Sequence, residues 1–414
     1  MLTREENERL TRVGPGTPMG ELLRRYWMPI MPSAELGRKA VSRRLLGEDL
    51  VVFRDGEGKV GVVERHCPHR RADMSIAVVE QSGIRCGYHG WRFDHAGACV
   101  EQPAELRLNP RMRIGAYPAE ELGGLVWVYM GPQPAPLLPR FDMFVWDNVL
   151  RDIGQARLDF NWLQAMENSV DPYHVEWLHA HFMNWWRRLD GSEQVEILAK
   201  KHLKVGFDAF DYGIIKRRVL VGQTEDDDDW KIGHPLVLPI MLRVGGGGVD
   251  QFQIRVPVDD TTTWHVWYTT YRPEGAELPR QPVVPSYEVP LKDGSGNWIL
   301  DFADGQDIAA WAGQGPIADR TKENLGVSDK GVVLLRQMLK EQLERLAAGQ
   351  DPLGTVRDPA INRIIELPME HNKYGDPRAF VRQLLTSQAI RYSPLQPSLY
   401  RLFGFGDAAA VRDW

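Results

Sequence analysis

Four side chains able to bind a soft metal stand in two short groups, Cys67 with His69 and, sixteen residues further on, Cys86 with His89. Thiolate sulfur and neutral imidazole nitrogen serve both zinc and iron–sulfur centres. A structural zinc usually draws two cysteines from one knuckle and two histidines from a helix. Here each knuckle supplies one of each, which suits a [2Fe-2S] cluster with Cys67 and Cys86 on one iron and His69 and His89 on the other. The spacing favours that cluster, with tetrahedral zinc as the competing reading. Pro68 stiffens the first loop, and Gly87 and Gly90 let the backbone of the second approach closely. His66 and Cys99 fall outside the pattern.

That ligand split is the one found in a Rieske centre, which passes single electrons and makes no product, so a second redox site is expected. Residues 167–181 supply candidates: Glu167, Asn168, Asp171, His174, His179 and His181. Two histidines and a carboxylate can hold a mononuclear iron and leave positions open for O2 and substrate. Asn168, Asp171 and His174 recur at steps of three, along one helix face. His179 lies about 140° from His174 on a regular helix, so the two share an ion only if the helix ends or bulges between them. His181, seven residues on, would share the face. Spacing alone therefore mildly favours His174 with His181.

These groups need two kinds of scaffold. Short β-branched runs at 50–53, 60–63 and 125–129, separated by turn residues, predict a small antiparallel all-β domain around the first motif. Four prolines within 131–139 mark a linker. Beyond it, helical character over 158–189, 306–312 and 329–348, the last with Ser328 as its cap, alternates with strands at 249–258 and 262–271. The expected class is α+β, divided as a helical lead-in over 1–40, the cluster domain over 41–140 and a catalytic domain over 141–414. The acidic tract 225–229 reads as a solvated turn, and the glycines at 245–248 lack the residues of a phosphate loop.

Composition narrows the function. With 414 residues, 43% hydrophobic and 26% charged, the chain is that of an ordinary globular protein. A net charge of -6 offers no field for nucleic acid or anionic membrane, and neither partner is expected. No signal peptide or long apolar run is evident, so a cytoplasmic location is expected. Three cysteines make a disulfide framework improbable. Without a GxGxxG in a βαβ setting, reducing equivalents from NAD(P)H must come through a separate reductase, which could carry a ferredoxin domain.

Taken together, Cys-x-His, sixteen residues, Cys-x-x-His, and then Asn-x-x-Asp-x-x-His-x-x-x-x-His resemble the terminal oxygenase α subunit of Rieske non-haem iron oxygenases, nearest the phthalate dioxygenase and phenoxybenzoate dioxygenase branch. The resemblance runs from the N-terminus to the stretch 315–320. It implies a Rieske [2Fe-2S] domain followed by a helix-grip (START/Bet v1-like) catalytic domain with an antiparallel sheet and helices. It also implies His174 and His179 as ligands of a mononuclear Fe(II), with His181 as runner-up. Among Asp301, Asp304 and Asp307, the family's ligand-bearing helix points to Asp307 as the third. Asp171 would bridge the iron's histidine to the Rieske histidine of an adjacent subunit, with Asn168 close to the iron. Residues alone also allow Asp171 as a helix N-cap ahead of Pro172, the lesser of its two readings. Arg71 stands where many relatives carry glycine.

The implied reaction is O2-dependent hydroxylation of an aromatic substrate, an aromatic carboxylate in the first instance, with dioxygenation favoured and monooxygenation with O-demethylation of an aryl ether as the alternative. An electron-transfer Rieske protein without oxygenase activity is the reading from a different class. Passage of electrons between subunits implies a homotrimer or a multiple of it. An aromatic acid would need a cation, for which Arg217, Arg218 and Arg243 are candidates, each more readily explained as structural.

Overall fold

A computed structural model describes residues 1–191 and 194–406. Two short helices open the chain, Arg4–Thr11, closed at its start by a Thr3/Glu6 capping box, and Pro18–Leu23. The expected helical lead-in is not helical throughout. Residues Trp27–Pro32 are all buried and form a strand that pairs antiparallel with Leu125–Tyr129, itself paired with Ala119–Leu122.

The β region that follows has two small sheets, one of Val41–Leu45, Glu48–Arg54, Val60–Glu64 and Ala116–Tyr117, the other of Val78–Val79, Ile84–Arg85, Arg92–Phe93 and Cys99–Glu101. Alternation along Glu48–Arg54 explains how they share a strand's worth of apolar residues. Leu50 and Val52 face the main core, whereas Val51 and Phe53 face a separate cluster that holds Cys67 and Cys86. The proline-rich linker follows the surface of the next region, where Leu137 N donates to Val356 O at 2.8 Å.

The remaining chain builds an eight-stranded sheet in the order His202–Phe210, Gly213–Leu220, His234–Val237, Met241–Gly246, Val249–Asp259, Thr262–Tyr271, Leu150–Leu158 and Ser286–Glu288. All neighbours are antiparallel except the last pair. Helix Trp162–Ser169, capped by Asn161, packs on strand Val249–Asp259. Helix Lys330–Ala347 buries Val332, Leu335, Leu339 and Leu343 along one stripe. At Gly331 that helix comes so near that an added Cβ would meet Val170 O at 2.2 Å. The class is α+β, as expected.

Three local expectations differ from the structure. The helical stretch over 158–189 is a strand to Leu158 and then four pieces, Trp162–Ser169, Tyr173–Glu176, a π-helix at Trp177–Phe182 and Met183–Asp190. Ser328 does not cap the long helix; Asp329 instead closes a preceding 3-10 turn by accepting from Gly326 N. The acidic tract is not wholly solvated, because Asp229 is fully buried against Arg218. Among the described residues no helix is long and apolar enough to cross a membrane.

Candidate metal centres

Both cysteine knuckles share one backbone plan despite their different histidine spacing. Arg71 N donates to Cys67 O at 2.9 Å and Cys67 N to Ala72 O at 2.9 Å; in the second loop Gly90 N donates to Cys86 O at 3.0 Å and Cys86 N to Trp91 O at 2.8 Å. The closing residue in each is left-handed, with φ of 57° at Arg71 and 76° at Gly90. This explains why glycine suits position 71, since a side chain there costs about 1 kcal/mol or more. The loops bring the His69 and His89 rings to 4.6 Å between centroids, and His69 stacks on Trp91 at 4.4 Å.

The donor set fits a Rieske cluster. Cys67 and Cys86 are buried and form no disulfide, and burial, with Cys86 adding to it, pushes the Cys67 thiol up to about 11. Such a thiol ionises only with a cation at hand. The buried Nδ1 of His69 has no partner. His66 pairs in a bridge with Asp73, and Cys99 sits on the edge strand with its Sγ 3.5 Å from Glu101 O, so both lie outside the set.

His174, His179 and Asp307 come together with one donor atom from each within 4.8 Å of the others. Asp307 Oδ1 lies 3.7 Å from His174 Nε2 and 3.3 Å from His179 Nε2. The π-turn makes this possible. Its i→i+5 bonding widens each turn, so that residues five apart fall on one face, which a regular helix would forbid. His181 is carried outward, half exposed, with Nε2 4.0 Å from Glu176. Burial works against the charged form of His179, yet Asp307 and the bond to Gln306 more than offset it and hold its pKa above the ordinary value. Asp307 is held low for the reciprocal reason, with burial opposed by His179, His174 and then Arg255.

Packing across 139 residues brings Asp307 to Asn168, whose Nδ2 lies 3.4 Å from Asp307 Oδ1. Gln164, on helix Trp162–Ser169, clamps it to helix Ala303–Gly313 and the stretch after it, donating to Trp311 O and Gly315 O and accepting from Ala318 N. Next to it, Glu167 takes Arg320 at 2.7 Å and Arg336 at 2.6 Å. The other two aspartates are engaged elsewhere. Asp301 pairs with Arg391 at 2.8 Å, while Asp304 accepts from Trp267 Nε1 and Ala389 N.

The two oxygens of Asp171 face different groups. Oδ1 accepts from Tyr173 N at 2.9 Å in the turn ahead of helix Tyr173–Glu176, whose N-cap is Pro172, and Oδ2 faces His174 Nδ1 at 3.6 Å, too long for a hydrogen bond. His174 thus forms a wall between two spaces. Outside is a surface cleft of about 640 Å³ lined by Asn168, Asp171, Glu167 and Arg320. Inside is a cavity of about 80 Å³ that also touches His179 and Asp307.

Gln306 was not legible as a site residue, although it directly precedes Asp307. Its Nε2 donates to Leu300 O at 2.7 Å, so its Oε1, 3.0 Å from His179 Nδ1, must accept. That puts the proton of His179 on Nδ1 and leaves Nε2 free to bind a metal. Of the three arginine candidates, Arg243 pairs with Asp142 at 2.8 Å, Arg218 with Asp229 at 3.1 Å and Arg217 with Asp208 at 2.5 Å.

A Rieske [2Fe-2S] domain family model matches residues 26–113, and a LigXa C-terminal domain like model matches residues 290–370. The chain is 48% identical to the 5,5'-dehydrodivanillate O-demethylase oxygenase subunit of Sphingobium sp. strain SYK-6, over 90% of this chain and 87% of that one. It is 33% identical to the phthalate 4,5-dioxygenase oxygenase subunit of Pseudomonas putida, over 88% and 91% of the two chains. It is likewise 33% identical to the phenoxybenzoate dioxygenase subunit alpha of Ectopseudomonas oleovorans, over 83% and 86%. The terminal oxygenase of carbazole 1,9a-dioxygenase from Novosphingobium sp. KA1 shares the fold, with a TM-score of 0.58 at 20% identity over 85% of this chain and 99% of that one.

Proposed function

Because this chain belongs to the Rieske non-haem iron oxygenases as a terminal oxygenase subunit, we propose that its own reaction is the O-demethylation of a methoxylated aromatic acid. Membership makes it an oxidoreductase that acts on aromatic substrates with O2 and carries a Rieske cluster and a mononuclear iron, served by a separate reductase. The observation that carries the finer reading is the 48% identity to an O-demethylase subunit, against 33% to ring dioxygenases. In balance, one aryl methyl ether, O2, two electrons and two protons give a phenol, formaldehyde and water, the electrons coming from NAD(P)H through the reductase.

In this reading Cys67 and Cys86 hold one cluster iron, His69 and His89 the other, and His174, His179 and Asp307 the mononuclear iron. When bound, the cluster supplies single electrons and the mononuclear iron supplies open positions for O2 beside the substrate. Gln306 fixes the tautomer of His179. The Asp171 carboxylate faces the His174 ring from the cleft side across 3.6 Å, where the neighbouring subunit of a homotrimer would present its His69 and His89 loops.

Two outcomes test this. With a reductase and NADH, 5,5'-dehydrodivanillate or 4-hydroxy-3-methoxybenzoate should drive O2 uptake with formaldehyde released about one for one. A ring diol without formaldehyde would favour the dioxygenation that the 33% identical relatives catalyse. Secondly, Gln306→Leu should weaken iron retention roughly 10- to 100-fold in a chelator titration, the usual consequence of losing a ligand's orienting partner. Unchanged retention would remove Gln306 from that role.

A further inference from the structure

Three buried cations border the inner cavity beside the triad, and only two of them have a carboxylate. Lys216 and Arg218 lie two apart on strand Gly213–Leu220 and so face inward together, while Arg217 between them points out to Asp208. Lys216 is 4% exposed, Arg218 2% and Lys373, which also lines the cavity, 2%. Asp229 takes Arg218 and also accepts from Gln223 Nε2 and Tyr374 N. Glu370 takes Lys373 at 3.3 Å and His234 at 2.8 Å. Among the described residues the Lys216 side chain makes no hydrogen bond or ion pair, although Asp171 and Glu370 attract its ammonium from further off. Burial, then repulsion from Arg218 and Lys373, pulls its pKa down to about 7.

A lone buried ammonium is costly to keep unless an anion arrives to meet it. The cavity it borders is the one that His174, His179 and Asp307 share, and the one arginine that lines it, Arg218, is already paired. We propose that Lys216 is the substrate-anchoring residue of this enzyme, its ammonium receiving the carboxylate of the aromatic acid and so selecting anionic over neutral substrates. The inference rests on the aromatic-acid reading above and adds to it the group that recognises the acid. Lysine suits the task as a compact point charge on a flexible stem, able to reach a carboxylate without the fixed fork of arginine.

The test is binding to the fully loaded enzyme, measured by calorimetry with 5,5'-dehydrodivanillate and 4-hydroxy-3-methoxybenzoate, each against its methyl ester. Wild type should bind at least one acid more tightly than its ester. Lys216→Met should weaken that acid about 100-fold, as loss of one partner of a buried charge pair does, and leave the ester within about threefold. Lys216→Arg should restore part of the preference. Thermal stability separates this from a structural role, because removing an unpaired buried charge should leave the melting temperature equal or higher. If wild type binds acids but Lys216→Met binds them as well, the anchor is wrong while the demethylase reading stands. If wild type binds no acid better than its ester, the anchor and the aromatic-acid reading fall together.

Discussion

Replacing Asp307 by alanine is expected to abolish turnover, by at least about 1000-fold, since loss of a mere orienting partner already costs roughly 10- to 100-fold in metal affinity or activity. Total iron should fall from about three atoms per chain to about two, while acid-labile sulfide and the visible spectrum of the cluster stay unchanged. The fold should survive. With Asp307 gone, burial favours the neutral imidazole at His179, and the buried Arg255 keeps Asp304 as its remaining compensating carboxylate. Asn168 loses one weak acceptor, at 3.4 Å. Parallel iron and activity assays on the purified variant decide the matter, and a variant that keeps both its third iron and its activity would show that the carboxylate ligand lies elsewhere.

The second large effect is expected from Asp171→Asn. The amide oxygen can still accept from Tyr173 N, as Oδ1 does at 2.9 Å, so the start of that helix is retained. What disappears is the charge facing His174 Nδ1, across 3.6 Å. An amide nitrogen turned toward the ring offers a donor where an acceptor stood. Both metal contents should match wild type, yet turnover should drop about 100-fold or more, because the oriented path between the cleft and the inner site is broken. The discriminating measurement is a single turnover: chemically reduced enzyme, mixed with substrate and O2, should leave its cluster reduced. Oxidation at the wild-type rate would assign Asp171 to helix capping alone.

How much of this could be read beforehand depended on sequence distance. Both knuckles were legible because each is closed by hydrogen bonds spanning four and five residues, so Cys67 with His69 and Cys86 with His89 are local facts. The β-branched runs likewise announced strands. The pairing of His174 with His179 was not legible from spacing, which pointed to His181, because a π-turn is a departure from regular helix that no periodicity announces. Resemblance to a family supplied that choice, and the backbone supplies its cause. Arg217 and Arg218 read as surface or structural arginines and Lys216 carried no reading, yet alternation along their strand puts Lys216 and Arg218 inside and Arg217 outside.

The chain's own order therefore determined the kinds of metal donor present, their grouping into two knuckles and one histidine-rich helix, and the α+β division around them. Tertiary structure decided which aspartate among three turns toward the histidines, which glutamine sets the tautomer of one of them, and that a lysine 42 positions from His174 faces the same cavity. The physical reason is that ligand spacing within a turn is set by backbone geometry, whereas the meeting of Asn168 with Asp307 depends on the Gln164 clamp and the burial of two helices against one sheet. Such contacts carry no signature in a local window, because the free energy that selects them is shared among all the residues they bury.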